Sequence, residues 1–369
     1  NIMPIFIFDE DIIDELPKDD ARLSFIYENL ETINSTIKTE KKSILCLKGS
    51  PLKIWKQLIK DYDVKSVYLN KDYEPYAIKR DLEVKKLLAE HGISFFEYKD
   101  QVIFEENEVL KNDGKPYTVF TPYKNKWLQK FEPLQLIHET KLDNLLEVDF
   151  TFPSREELGI EESIIKVKPY SLDSIDEYEV CRDVPSLDGT SYLSPHLRFG
   201  TISVRQIIIK LTSKDSVFLS ELIWREFFMQ ILYHFPRVVD QNFKIKYDNI
   251  EWRNNEEEFK KWCNGTTGYP LVDAGMRQLN QTGYMHNRVR MVTAGFLCKH
   301  LLIDWRWGEA YFASKLLDYE LSANNGNWQW AAGTGCDAAP YFRIFNPSEQ
   351  IKKFDKQLIY VKKWVPEVL

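Results

Sequence analysis

A chain of 369 residues with 44% hydrophobic and 14% aromatic content can fill more than one core, since single cores stop growing at about 250–300 residues, so two domains are expected. No apolar run approaches the roughly 20 residues that cross a membrane, residues 1–30 hold no signal-peptide pattern, and Cys46, Cys181, Cys263, Cys298 and Cys336 form no CxxC pair. A soluble, reduced, cytoplasmic protein without disulfide framework or metal site follows as the expectation. The net charge of −7 speaks mildly against a nucleic-acid partner, yet residues 1–165 carry net −9 (23 Lys+Arg, 32 Asp+Glu) and residues 166–369 net +2 (26 and 24), which makes the second part the better reader of phosphate.

In chain order, β-rich runs at 2–8 (IMPIFIF), 43–49 (SILCLKG), 64–70 (VKSVYLN) and 93–98 (ISFFEY) alternate with helical patterns at 21–37 and 76–92. That alternation predicts a parallel sheet with crossover helices over residues 1–124, and neither GxGxxG nor a P-loop marks it as a common dinucleotide site. Residues 125–166 are mixed and Pro-containing and read as an inter-domain linker. From 167 to 369 the pattern is helical, with apolar spacings of three and four in SVRQIIIKL, FLSELIWREFFMQILYHF, PLVDAGMRQL, RVRMVTAGFLCKHLL and GEAYFASKLLDYEL. Eight of the ten tryptophans follow residue 200, as bulky core filler or as functional indoles.

Four stretches of this helical part carry chemistry. In ELIWREFF, Glu221, Trp224, Arg225 and Phe228 share one helical face and make a pocket wall, although an ordinary Glu–Arg pair beside a packed indole has the same spacing. In GYMHNRVRM, Asn287, Arg290 and Met291 share a face while Arg288 points elsewhere. GTSYLSP sets the hydroxyls of Thr190, Ser191 and Ser194 after a glycine, suited to phosphate oxygens or to a plain N-cap. In LSANNGNWQWAAGTG, Asn324 and Trp328 lie four apart on one face and Trp330 faces away. Amides, indoles, hydroxyls and arginines converging from four helices suit a flat partner, either a ring cofactor or a nucleobase.

Taken together, EYEVCRD with GTSYLSP, ELIWREFF, TGYPLVDAGMRQL, GYMHNRVRM and LLDYELSANNGNWQWAAGTG resemble the photolyase/cryptochrome family in family order, from about Tyr178 to Pro366, with support from YTVFTPYKNKW at 117–127. The MHNRVRM stretch looks most like the class I-type cyclobutane pyrimidine dimer photolyases. The resemblance implies an α/β antenna domain (a parallel Rossmann-like sheet) followed by an all-α FAD-binding domain, with one FAD per chain. It implies that Tyr178, Thr190, Ser191, Tyr192, Leu193 and Ser194 hold the FAD phosphates and ribityl chain. Phe218, Trp224, Arg225, Asn287, Arg290, Asp318, Tyr319 and Glu320 would line the cavity, and Asn324 would face the flavin N5.

By the same resemblance, Glu221 would hydrogen-bond a flipped-out dimer, Met291 would touch it, and Trp224 and Trp330 would stack on its bases. Arg182, Arg288, Arg343 and Gln350 would meet the DNA backbone, with Arg225 and Asn287 also at the DNA side. Trp328, Trp305 and Trp252 match the family's tryptophan chain, which would re-reduce oxidised flavin; Trp262 and Trp307 stand near enough to substitute. The implied activity is light-driven repair of cyclobutane pyrimidine dimers in UV-damaged DNA, by electron transfer from photoexcited reduced FAD to the dimer, in a monomer. A cryptochrome-like blue-light receptor is the alternative, and Asn324 and Met291 favour repair.

Three departures from the family pattern accompany the resemblance. Glu320 stands where Asp is usual, and no counterpart of the first strand, WFRRDLR, occurs in the sequence. Tyr76 and Ala77 stand where folate-binding members have an Asn-Glu pair, so any second, antenna chromophore is expected not to be folate.

Overall fold

β-Branched and aromatic runs form strands β1 (Ile5–Asp9), β2 (Leu45–Gly49), β3 (Ser66–Asn70) and β4 (Ser94–Tyr98), close to the four runs read from the sequence. Between them lie α1 (Glu10–Ile13), α2 (Ala21–Lys38), α3 (Pro51–Asp61) and α4 (Pro75–Glu90). Asp20 caps α2 by accepting from Arg22 N, and Pro51 and Pro75 open α3 and α4, where a missing N–H costs nothing. The computed structural model describes residues 1–132, 142–338, 340 and 343–368.

The strands pair in parallel as expected, but as two pairs and not one sheet: β1 with β2 (Ile5 opposite Leu45) and β3 with β4 (Ser66 opposite Ser94). Each pair packs its own small core. Phe8, Leu23, Tyr27, Ile37 and Cys46 meet Leu158 and Ile160 in one, and Val67, Val84, Leu88 and Ile93 form the other. The opposite face of β3 and β4 carries Tyr68 with Phe96 and Tyr98 stacked beside it, ring centroids 5.0 and 6.4 Å away.

The remaining helices are α5 (Phe120–Lys130), α6 (Arg155–Leu158), α7 (Tyr178–Cys181), α8 (Leu193–Arg198), α9 (Val204–Lys210) and α10 (Ser216–His234). They continue with α11 (Glu256–Asn264), α12 (Pro270–Thr282), α13 (Asn287–Lys299), α14 (Trp305–Lys315), α15 (Leu321–Ala332), α16 (Pro347–Phe354) and α17 (Ile359–Trp364). The α/β part followed by an all-helical part is therefore the observed architecture. Helix α14 stops at Lys315, earlier than its apolar spacing suggests, because Glu320 starts a new helix by capping α15.

Two compact units divide the chain at places other than residues 124 and 166: one takes Asn1–Asp100 and Gln135–Lys168, the other Gln101–Leu134 and Pro169–Leu369. The stretch read as a linker is thus split, with its residues 133–141 outside the described set. Residues 142–168 return to the first unit through backbone bridges Ile2–Leu145 and Lys42–Glu147 and through Ser43 Oγ donating to Val148 O at 2.6 Å. In the second unit, the stretch from Gln101 through α5 is held by α10. Buried Glu226 accepts from Ile103 N (2.7 Å), Phe104 N (3.2 Å), Trp127 Nε1 (2.7 Å) and Tyr123 Oη (3.2 Å). Further along α10, Gln230 Nε2 donates to Phe104 O at 3.2 Å and His234 Nε2 meets Glu106 O at 2.6 Å.

Helix α15 passes α10 and α14 so closely that two glycines are obligatory. A Cβ on Gly326 would lie 2.1 Å from the Phe228 ring, and one on Gly308 would lie 2.1 Å from the Trp328 ring. A helical glycine costs about 0.5–1 kcal/mol relative to alanine, so close packing and not propensity explains both. Gly326→Ala is expected to lower stability by about 1–3 kcal/mol, the range for overpacking. Urea unfolding checks this, and a midpoint at or above the parent's would contradict the packing described.

Candidate functional site

The row Glu221, Trp224, Arg225 and Phe228 lies on α10 as its spacing requires, but the four side chains find different neighbours. Glu221 accepts from Arg182 Nη1 at 2.7 Å, and that guanidinium lies 5.3 Å from the centroid of the Tyr178 ring. Tyr178 meets Phe218 edge-on at 5.0 Å, and the two line a cleft with Ser171, Ser174, Gly189 and Ser191. Burial pushes the Tyr178 phenol up to about 12, which leaves it a proton-bearing donor at neutral pH. Beside Glu221 and Arg182, a groove of about 230 Å³ is also lined by Lys124, Leu128, Ser216 and Ser220.

Trp224 stacks on Phe120 with ring centroids 3.6 Å apart and planes 8° from parallel, and Phe228 packs at 5.4 Å. Arg225 departs from the expected wall. Its Nη1 donates to Gln101 O at 2.6 Å and its Nη2 to Leu197 O at 3.5 Å, since a half-buried guanidinium needs acceptors and two backbone carbonyls are in reach.

Of the hydroxyls at 189–195, those of Tyr192 and Ser194 donate to carboxylates of the protein itself. Tyr192 takes a left-handed φ of 51° before the short α8 and donates its hydroxyl to Asp188. Ser191 Oγ accepts from Leu193 N at 3.4 Å, Leu193 is buried and Thr190 half-buried. Ser194 Oγ donates to Asp318 Oδ2 at 2.7 Å, and Asp318 also accepts from Arg290 Nη2 at 2.9 and 3.2 Å. A Ser–Asp–Arg chain therefore joins α8, α13 and the turn before α15.

Glu320, in place of the usual Asp, puts its carboxylate to capping: Oε1 accepts from Ser322 N at 2.9 Å, and Oε2 from Ser322 Oγ at 2.6 Å and Ala323 N at 2.8 Å. Its side chain is thus committed to α15, while Tyr319 packs against the adjoining core. Asn324 Nδ2 donates to Glu309 Oε1 at 2.8 Å and to Glu309 O at 3.2 Å, which leaves the amide oxygen as the acceptor the side chain offers. Burial raises the Glu309 carboxyl. Glu309 escaped the sequence reading; its one signal is a lone acid within the apolar run WRWGEAYFA.

Arg288 and Arg290, two positions apart, separate as helical geometry demands. Arg288 donates to Asp183 Oδ1 at 2.5 Å through Nη2 and lies 4.5 Å from the Phe354 ring centroid. Ahead of it, His286 caps α13 through Nδ1, and burial lowers it to about 4, so it stays neutral. Asn287 is exposed and Met291 half-buried. Arg343 is exposed, with its carbonyl accepting from Lys299 Nζ at 2.9 Å. Gln350 Oε1 is buried without a hydrogen-bond partner among the described residues.

Trp328 and Trp305 are buried and share one core with half-buried Trp252, Trp307 and Trp330. Trp328 stands 6.0 Å from Trp262 and 5.0 Å from Phe312, while Trp305 donates Nε1 to Asn242 Oδ1 at 2.9 Å. In the first unit, Tyr76 donates its hydroxyl to Asp9 Oδ2 at 2.7 Å and Ala77 is buried. Neither position presents an amide or a carboxylate.

Comparison with known proteins explains this collection. Residues 1–142 match the family described as DNA photolyase, and residues 218–369 match the FAD binding domain of DNA photolyase. The deoxyribodipyrimidine photo-lyase of Vibrio cholerae is 40% identical, over 85% of this chain and 72% of that protein. A bacterial class III photolyase from Agrobacterium tumefaciens superposes with a TM-score of 0.85 at 33% identity, covering 99% of this chain and 81% of that one. An archaeal photolyase from Sulfolobus tokodaii, solved with two FAD molecules, gives a TM-score of 0.85 at 33% identity, with 100% and 84% coverage. The residues present fit FAD: phenol and hydroxyl donors at Tyr178 and Ser191, a Ser194 hydroxyl oxygen left to accept, a guanidinium paired with Asp318, and an amide oriented by Glu309. The chain belongs to the DNA photolyase family.

Proposed function

We propose that the protein is a light-driven deoxyribodipyrimidine photo-lyase that opens cyclobutane pyrimidine dimers in UV-damaged DNA, working as a cytoplasmic monomer with one FAD. The observation that carries this reading is the Asn324–Glu309 pair together with the Ser194–Asp318–Arg290 chain, in a chain whose residues 218–369 match the FAD-binding family. Bound FAD would supply a light-excited one-electron donor. Tyr178, Thr190, Ser191 and Ser194 would bind its phosphates and ribityl chain, and Arg290 and Asp318 its ring side. Asn324 Oδ1 would accept from the ring N–H, held in that orientation by Glu309. Trp328, Trp305 and Trp252 would carry electrons inward when the flavin is oxidised.

On the DNA side, Trp224 and Trp330 would stack on the two flipped bases, with Met291 against them and Glu221 accepting from the pyrimidine pair. Arg182 and Arg288 are each paired with one carboxylate, and a guanidinium's five donors allow a phosphate to be added to that pair. Arg343 and Gln350 would extend the backbone contacts. Splitting breaks the two carbon–carbon bonds that join the pyrimidines and returns the electron, so no net oxidation occurs. Stacking of about 1–3 kcal/mol per base is comparable with the few kcal/mol needed to extrude a lesion-weakened pair. A blue-light receptor is the weaker reading, because the relative compared above is named a photo-lyase and the motif resemblance at Asn324 favours repair.

Two substitutions test this assignment. Trp224→Ala should weaken binding of dimer-containing DNA by roughly 5–150-fold, the equivalent of one lost stack, with FAD retained. Equal affinity in a titration would remove the stacking role. Trp328→Phe should slow photoreduction of oxidised flavin by at least about tenfold while protein reduced beforehand still repairs; loss of both activities would assign the residue to packing alone.

A further inference from the structure

Phe120 and Glu226 belong to no role assigned so far, yet they converge on Trp224. Glu226 lies two residues beyond Trp224 on α10 and, at 3% exposure, receives four donors, two of them from α5 side chains. The ionised form suits this setting, for two carboxylate oxygens offer enough lone pairs for all four donors and a protonated one would aim an O–H at donors. Burial works against those donors and pushes the carboxyl up to about 7. The same α5 begins with Phe120, whose ring lies parallel to Trp224 at 3.6 Å and 8°, with Phe227 edge-on to both at 5.9 and 5.6 Å and Phe228 inclined to the indole by 29° at 5.4 Å.

An indole held against a parallel ring in this way has its plane fixed before any ligand arrives. We propose that Glu226 and Phe120 are positioning residues for lesion recognition: Glu226 anchors α5, and Phe120 on α5 holds the Trp224 ring in the plane against which a flipped base stacks. This rests on the photo-lyase reading above and deepens it. Preorganisation of this kind adds affinity by removing the need to order the ring on binding. It does so for the lesion alone, since undamaged duplex presents no flipped base.

The test is a double-mutant cycle on the FAD-loaded protein with dimer-containing and undamaged oligonucleotides. Glu226→Gln keeps the Oε1 acceptor but turns an amide donor toward Ile103 N–H; Phe120→Leu keeps apolar volume and removes the stacked ring. Each should weaken dimer binding about tenfold, leave undamaged DNA binding and repair rate at saturating DNA within about twofold, and add little when combined with Trp224→Ala. Unchanged dimer affinity in both variants, or losses that add fully to that of Trp224→Ala, would overturn the positioning role while the photo-lyase reading stands. If Glu226→Gln fails to fold, Phe120→Leu decides alone. A parent protein that cannot tell dimer from undamaged DNA would overturn the shared reading instead.

Discussion

One buried carboxylate organises the helical unit. Glu226 cannot leave water unless its lone pairs are met, and the groups that meet them come from 99 to 123 positions away in the chain. A stretch that follows the last strand, and that composition would assign to the first domain, is thereby fixed to α10. Neighbouring Arg225 adds its own donors to Gln101, at the start of that stretch, and to Leu197 in α8. Of the rest of the row, Glu221 is left at the groove, Trp224 against Phe120, and Phe228 between Trp224 and Gly326.

Close approach of three helices does the rest. Gly326 admits Phe228 and Gly308 admits Trp328, so α15 lies near α10 on one side and α14 on the other. Asn324 reaches Glu309 only because of that approach, and Trp328 enters the aromatic core for the same reason. Around this packing three half-buried arginines are paired with carboxylates: Arg290 with Asp318, Arg182 with Glu221, Arg288 with Asp183. Pairing offsets desolvation and fixes each guanidinium's plane without removing all its donors.

Much of this was legible from periodicity. The four strand runs and the helices at 21–38 and 75–90 came within two or three residues of their observed limits, as did α9, α10 and α13, because alternation and three-four spacing are local signals. Helices α3 and α5 were not read, and the unit boundary at residue 101 was missed, since what binds α5 to the helical unit is Glu226. Asp318, Arg290 and Asn324 were recognisable from motifs, whereas their partners Ser194 and Glu309 and the cover of Trp224 by Phe120 depend on long-range contacts. Arg225 shows the converse limit: a correct helical face does not say which neighbour each side chain meets.

The most direct test is blue illumination of the purified, chemically reduced, FAD-loaded protein with an oligonucleotide bearing a single thymine dimer, scored by recovery of intact thymines against a dark control. Recovery in the light alone is the expected result. Flavin bound and dimer DNA bound, with no thymine recovered in either condition, would contradict the repair assignment and leave light reception as the function of the site.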